Sequence, residues 1–171
     1  MKRLLLLLLF ILHCNIYYNL VTDKIELKNS SSSRDEAVIT FLQAVADNDW
    51  TRADQLTFDK EEYLSIYHPA IREFPSIVSK MTAEEAWPMV ELRRQVGLDK
   101  LRQKLTGKKI TKVEYMYRKG RPEYQRLGNL LLWMPDAIKV YYANGEMEII
   151  EQISTIAENH GRYKVSALKT G

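Results

Sequence analysis

Residues 33–57 of the 171-residue chain read SRDEAVITFLQAVADNDWTRADQLT, and they carry the clearest structural signals in the sequence. Ser33 and Glu36 form a capping box, in which the serine accepts a hydrogen bond from a backbone amide that the helix leaves unpaired. Apolar residues then recur at helical spacing on one face: Ala37, Val38, Phe41, Leu42 and Val45. The acidic turn at 47–49 ends this first helix, and residues 50–56 are predicted to form a short second helix.

Thr82 and Glu85 repeat the capping-box spacing and predict a third helix that ends near Gly107. Pro88 lies in the second turn of this helix. Because proline removes a backbone donor, a kink or a restart is expected there. Residues 58–81, between the second and third helices, are ambiguous. Tyr63, Leu64, Ile66 and Tyr67 could line a helix face that ends before His68-Pro69.

From residue 109 onward, β-branched and aromatic residues replace the helical pattern. Five strands are predicted, at residues 110–117, 130–134, 138–142, 147–156 and 163–168. The short links between them, including the hairpin turn Asn144-Gly145, favour an antiparallel meander. Helices followed by such a sheet predict an α+β fold, with residues 34–171 as a single domain.

Residues 35–57 resemble the opening of nuclear-transport-factor-2-like domains, which begin with a helix, a short acidic turn and a second helix. The third helix and the terminal strands fit the same order, so the resemblance extends over most of residues 34–170. It implies a cone, in which N-terminal helices pack on a curved, mainly antiparallel sheet. That family includes isomerases, dehydratases, binding proteins and accessory domains, so the resemblance informs fold more than function.

Residues 1–14 have the composition of a secretory signal peptide, with Lys2-Arg3 followed by nine apolar residues. A membrane-spanning helix needs about 20 such residues. The segment ends in Ile11-Leu12-His13-Cys14, which resembles the lipobox of bacterial lipoproteins. This resemblance implies that Cys14 is the lipid attachment site. His13 departs from the lipobox pattern, which has a small residue at that position.

Residues 22–33 are polar and end in four serines, and residues 15–33 are predicted to form a flexible tether between membrane and domain. Two alternatives to the lipobox remain. The N-terminal segment could be an uncleaved anchor, or Cys14 could belong to a discarded peptide. As the chain's single cysteine, Cys14 excludes an intramolecular disulfide.

No catalytic, metal or cofactor site is predicted from motifs. The three histidines have no other ligand-type residue at metal spacing, and no phosphate-binding loop or hydrolase motif is present. Three side chains are candidates for the cone's cavity: Tyr115, Tyr117 and Glu151. Alternation places Glu151 with Ile149 and Ile153, and a carboxylate among apolar neighbours is a common setting for a general base. The other face of this strand carries Ile150 and Ile156 beside Gln152 and Ser154, so the sequence leaves the inner face of the sheet open. A solvated Glu151 is the favoured interpretation.

Charge is unevenly distributed, although the formal net charge is only +3. Residues 91–126 hold twelve basic and four acidic side chains. Such a segment could bind anionic lipid headgroups or an acidic partner. The favoured interpretation is that acidic residues between 35 and 75 neutralise it within the domain. Nucleic acid is not expected as a partner, because an exported protein seldom meets it.

These features predict a membrane-tethered, extracytoplasmic protein of the bacterial cell envelope, anchored through its N-terminal lipid or anchor. The alternative localisation is secretion. The predicted function is a binding or accessory module without catalytic activity, with a protein or small molecule as its partner. The alternative is a small isomerase or hydro-lyase that uses a carboxylate in the cone's cavity.

Overall fold

The computed structural model describes residues 26–71 and 80–170. The signal segment 1–14, with Cys14, and residues 15–25 of the predicted tether lie outside the described residues. The helical elements are α1 (Arg34–Ala46), α2 (Trp50–Gln55), α3 (Lys60–Glu62), a π-helix (Tyr63–Tyr67), α4 (His68–Ile71) and α5 (Ala83–Leu105). The strands are β1 (Ile110–Met116), β2 (Tyr124–Leu127), β3 (Leu130–Trp133), β4 (Ala137–Tyr142), β5 (Met147–Ile150), β6 (Ile153–Asn159) and β7 (Arg162–Leu168).

The predicted helix starts are confirmed. Ser33 caps α1 by accepting a hydrogen bond from the Glu36 amide, while the Glu36 carboxylate reaches back to Ser32 rather than to Ser33. Thr82 and Glu85 form a complete capping box at the start of α5. Of the kink or restart expected at Pro88, the restart is wrong, because α5 runs through Pro88 without interruption.

The described residues form seven strands in two antiparallel sheets, with the orders β1-β4-β5 and β2-β3-β6-β7. The strands are segments of a meander of four longer arms, at residues 110–127, 130–142, 147–159 and 162–168. Each arm pairs with the next, and interruptions at residues 117–123, 134–136 and 151–152 divide the first three arms between the two sheets. The predicted α+β fold is confirmed, and its layout fits the expected cone. The five predicted strands became seven, because β2 was missed and the strand at 147–156 is divided.

The main core lies between α1, α5 and the sheets. Phe41, Leu42 and Leu101 are fully buried, together with Ile138 and Ile156 from the sheets. The apolar face predicted for the first helix is therefore the face that contacts the strands. No helix in residues 26–71 or 80–170 has the length and apolarity needed to cross a membrane.

Residues 26–33, the described part of the predicted flexible tether, pack on the domain instead. Leu27 is 5% exposed and belongs to an apolar cluster with Phe58 and Leu130. Ser31 exchanges backbone hydrogen bonds with Tyr163 at 2.8 and 2.9 Å. The polar composition of the segment did not reveal this, because one apolar side chain and a backbone bridge hold it in place. The folded unit therefore begins before residue 34.

Candidate functional site

A cavity of about 520 Å³ lies between the helical segment 63–71, α5 and the four-stranded sheet. The helices contribute Tyr67, Ile71, Val90 and Arg93. The strands and the residues after them contribute Gln125, Met134, Ser154, Ala167, Leu168, Lys169 and Thr170. We call this cavity the sheet–helix pocket. Small-molecule sites commonly have volumes of about 300–1,000 Å³, so its size suits a small ligand.

The π-helix brings Tyr67 to the wall of this pocket. The amide of His68 bonds to the carbonyl of Tyr63, five residues earlier, instead of the usual four. Such single-turn bulges are frequent at functional sites. The Tyr67 hydroxyl lies 3.3 Å from the Thr155 hydroxyl on β6. Burial raises the pKa of Tyr67, because it disfavours the charged tyrosinate.

Tyr63 supports Tyr67 from behind. Their ring centroids are 5.8 Å apart and stacked, and Trp87 of α5 packs on Tyr63 at 5.3 Å. Burial raises the pKa of Tyr63 to about 12. His68 is also buried, with its Nε2 atom 3.1 Å from the carbonyl oxygen of Met81. These contacts give His68 a structural role and hold the π-helix against α5.

The pocket has a basic rim and an apolar interior. Arg93 is exposed on α5 and lines the same pocket as Tyr67, and its charge opposes the upward shift in the pKa of that tyrosine. Lys169 donates a 3.0 Å hydrogen bond to the carbonyl oxygen of Asp136. The described lining residues include no Asp, Glu or His side chain. The electrostatic field at the rim therefore favours an anion over a cation.

The three residues predicted for the cavity do not line the sheet–helix pocket. Tyr115 and Tyr117 lie elsewhere, around the side chain of Arg34. Glu151 is exposed at the interruption between β5 and β6. The sequence predicted that Ile149, Glu151 and Ile153 share one face of a strand. In the structure Ile149 and Glu151 are exposed, whereas Ile153 is buried, because the strand is interrupted between residues 150 and 153. The solvated interpretation of Glu151 matches its position.

Sequence reasoning missed Tyr67 and Arg93, which line the pocket. A local signal existed for the first, since Asp59 and Glu62 form a complete capping box just before the π-helix. That box starts a helix within the ambiguous segment 58–81. The helical structure continues through Pro69 to Ile71, so the expected end before His68 is wrong. No sequence signal distinguishes Arg93 from its neighbour Arg94. The latter bonds to Glu91 and Asp54.

Part of the basic segment 91–126 is neutralised within the domain, and Arg94 pairs with Asp54, one of the acidic residues between 35 and 75. Five of its cations form ion pairs: Arg94, Lys104, Lys108, Lys112 and Arg118. The partners of Lys104 and Lys108 are Glu148 and Glu146 of the β4–β5 hairpin, and not the acidic helices that the sequence suggested.

Within residues 26–71 and 80–170, no cluster of three or more His, Cys, Asp or Glu side chains could hold a metal ion. Comparisons with protein-family models, with curated proteins and with solved structures found no match. The chemistry of the site therefore has to be inferred from its own residues.

Proposed function

We propose that this protein is a membrane-tethered, extracytoplasmic binding module whose sheet–helix pocket holds a small amphipathic anion. The observation that carries the proposal is the pocket itself, with its apolar interior and basic rim. The tether and the location rest on the lipoprotein-like segment that ends at Cys14. The resemblance to cone-shaped domains agrees with this proposal, because that family includes binding proteins.

The lining indicates the class of ligand. Ile71, Val90 and Leu168 offer apolar surface for an aliphatic chain. Arg93 at the rim presents a planar guanidinium that can form two parallel hydrogen bonds to a carboxylate. A carboxylate joined to a short hydrocarbon chain satisfies both parts of the lining. Fatty acids and lipid fragments have this structure.

Binding is favoured over catalysis for a specific reason. The alternative isomerase or hydro-lyase needs an acid or base in the cavity. Among the described lining residues the titratable groups are one tyrosine and two strongly basic side chains, Arg93 and Lys169. Burial raises the pKa of Tyr67, so the tyrosinate that would act as a general base is scarcer still at neutral pH. The residues present are suited to holding an anion in place.

Calorimetric titration with octanoate, and with 1-octanol as its uncharged counterpart, tests the pocket. Arg93→Gln should weaken octanoate binding about 10-fold or more, because a hydrogen bond to a charged group is lost, and should leave octanol binding unchanged. Ala167→Trp should abolish both by filling the pocket. Arg121→Gln removes an exposed cation outside the pocket and serves as the matched control. Octanoate binding that is unaffected by both Arg93→Gln and Ala167→Trp would refute the proposed site.

The membrane tether has its own test. In its host, the protein should incorporate labelled palmitate and partition into the detergent phase, and Cys14→Ala should lose the label. Equal labelling of the alanine variant would rule out the lipobox. Cleavage without acylation would instead give a secreted protein.

A further inference from the structure

Arg34, the first residue of α1, places its guanidinium among aromatic side chains from both sheets. Its Cζ atom lies 4.1 Å from the ring centroid of Tyr115 on β1 and 4.2 Å from that of Trp133 on β3. Its Nη1 atom donates a 2.9 Å hydrogen bond to the hydroxyl of Tyr117. We call Tyr115, Tyr117 and Trp133 the aromatic cage. Two ring faces and a hydroxyl acceptor around one planar cation are the components of a cation-binding site.

The walls of the aromatic cage are held by contacts that do not involve Arg34. The indole N–H of Trp133 donates a 2.7 Å hydrogen bond to the carboxylate of Glu158. On its other side the Tyr124 ring packs on Trp133 with centroids 4.9 Å apart. Tyr115 is held by the pairing of β1 with β4. The cage should therefore keep its shape when Arg34 leaves it.

The cage is accessible from solvent and has a carboxylate nearby. Arg34, Tyr115 and Trp133 are each only partly buried, in contrast to the side chain of Lys164, which is 2% exposed. Asp35 directly follows Arg34 in the first turn of α1, and its charge acts together with burial to raise the pKa of the Tyr115 hydroxyl. A cation arriving from solvent thus meets both an opening and a favourable charge.

We propose that the aromatic cage is a binding site for the guanidinium group of a ligand, and that Arg34 occupies it as an intramolecular competitor. A guanidinium is the appropriate group because it is planar, stacks on aromatic faces and donates hydrogen bonds in its own plane. Free guanidino compounds and arginine side chains of peptides both carry it. Ligand binding displaces Arg34, which directly follows the N-cap Ser33, and so changes the start of α1.

Titration of the full chain with methylguanidinium tests the proposal. Calorimetry gives the affinity, and the NMR signal of the Trp133 indole N–H locates the site. Arg34→Ala should bind methylguanidinium at least about 10-fold more tightly than the wild type if Arg34 fills the cage more than nine-tenths of the time. If N-acetylarginine amide binds more tightly than methylguanidinium, the ligand is an arginine side chain of a peptide. If methylguanidinium binds more tightly, the ligand is a free guanidino compound.

Matched variants make the result decisive. Arg34→Ala combined with Trp133→Leu should lose the binding, and retained affinity in this double variant would overturn the proposal. Arg34→Gln keeps much of the side-chain volume without the charge, and it replaces Arg34→Ala if the alanine variant does not fold. Arg126→Ala removes an exposed arginine outside the cage and should behave as wild type. Equal affinity of the wild type and the Arg34 variants would also refute the proposal.

Discussion

Lys164 and Glu62 form an ion pair in which each side chain is only 2% exposed to solvent. The Lys164 ammonium donates to Glu62 at 2.7 Å, and the same carboxylate accepts hydrogen bonds from the backbone amides of Lys28 and Asp59. Burial lowers the pKa of Lys164, while the Glu62 carboxylate acts in the opposite direction. This ion pair thus joins β7, α3 and residues 26–33, and no pattern in the sequence indicated it.

Lys164→Met should lower the free energy of unfolding by about 3–5 kcal/mol, because it leaves the Glu62 carboxylate buried without a countercharge. The double variant with Glu62→Gln should lose less than Lys164→Met alone. Urea denaturation measures both. The exposed Glu151→Gln serves as control and should stay within about 0.5 kcal/mol of wild type. If Lys164→Met is as stable as that control, the pair does not contribute to the fold.

At the level of single elements, the helix starts depend on local hydrogen bonds to the cap residues. Ser33, Asp59 and Thr82 each cap a helix by accepting a hydrogen bond from the backbone amide three residues later. The strands depend more on their surroundings. Gln152 is 4% exposed, and its carbonyl accepts a 2.8 Å hydrogen bond from the Lys169 amide. That bond lies outside the paired strands and accompanies the break between β5 and β6.

Thr82→Ala should destabilise the protein by about 1 kcal/mol, because α5 then loses its N-terminal hydrogen-bond acceptor. Chemical denaturation with circular dichroism measures the change. Thr51→Ala is the matched control, since Thr51 is exposed in the first turn of α2 and is not its N-cap. Identical stabilities of the two variants would contradict the role of the cap.

Stability should also fall in acid. Hydrogen bonds from Thr82 lower the pKa of Glu85 below 4.5, and those from Ser32 do the same for Glu36. A carboxyl whose pKa is lower in the folded state stabilises the fold above its unfolded pKa, and this stabilisation is lost as pH falls through the folded pKa.

The double variant Glu36→Gln and Glu85→Gln should therefore show a smaller loss of melting temperature between pH 6 and pH 3 than the parent. Thr82→Ala removes a donor to Glu85 and should reduce the pH dependence in the same direction. If the double variant loses as much melting temperature between pH 6 and pH 3 as the parent, these carboxylates do not link folding to pH.

At the scale of the whole molecule, helices and sheets share one main core, and residues 26–33 pack on a second apolar cluster. Phe41 is fully buried in the main core, and Leu27 is 5% exposed in the second cluster. The meander brings residues 26–33 against the β6–β7 hairpin, far along the chain. The helices, sheets and leading segment should therefore unfold together in one cooperative transition.

Phe41→Ala should cost about 3–5 kcal/mol, the usual loss when a large aromatic side chain is removed from a packed core. Leu92→Ala on α5 is the control, because Leu92 is 62% exposed. Thermal and urea unfolding give the difference. A loss below about 1 kcal/mol for Phe41→Ala would mean that α1 is peripheral to the core.

Leu27→Ala distinguishes a packed leading segment from a flexible tether. The packed arrangement predicts a loss of about 2–5 kcal/mol, as for other buried leucines. The exposed neighbour Glu26→Ala should change stability by less than about 0.5 kcal/mol. Equal, small losses of stability in both variants would favour the flexible tether over the packed segment.

The sequence by itself determined the helix starts at Ser33 and Thr82, the hairpin at Asn144-Gly145 and the α+β class. These depend on hydrogen bonds and side-chain periodicity within a few residues, which are visible in the chain. Only the tertiary structure decided the break at Glu151, the packing of Leu27 and the pocket around Tyr67. Each of these depends on groups distant in sequence: the Lys169 amide for the break, Phe58 and Leu130 for Leu27, and Thr155 for Tyr67. Local patterns cannot encode such contacts, because they exist only after the meander has formed.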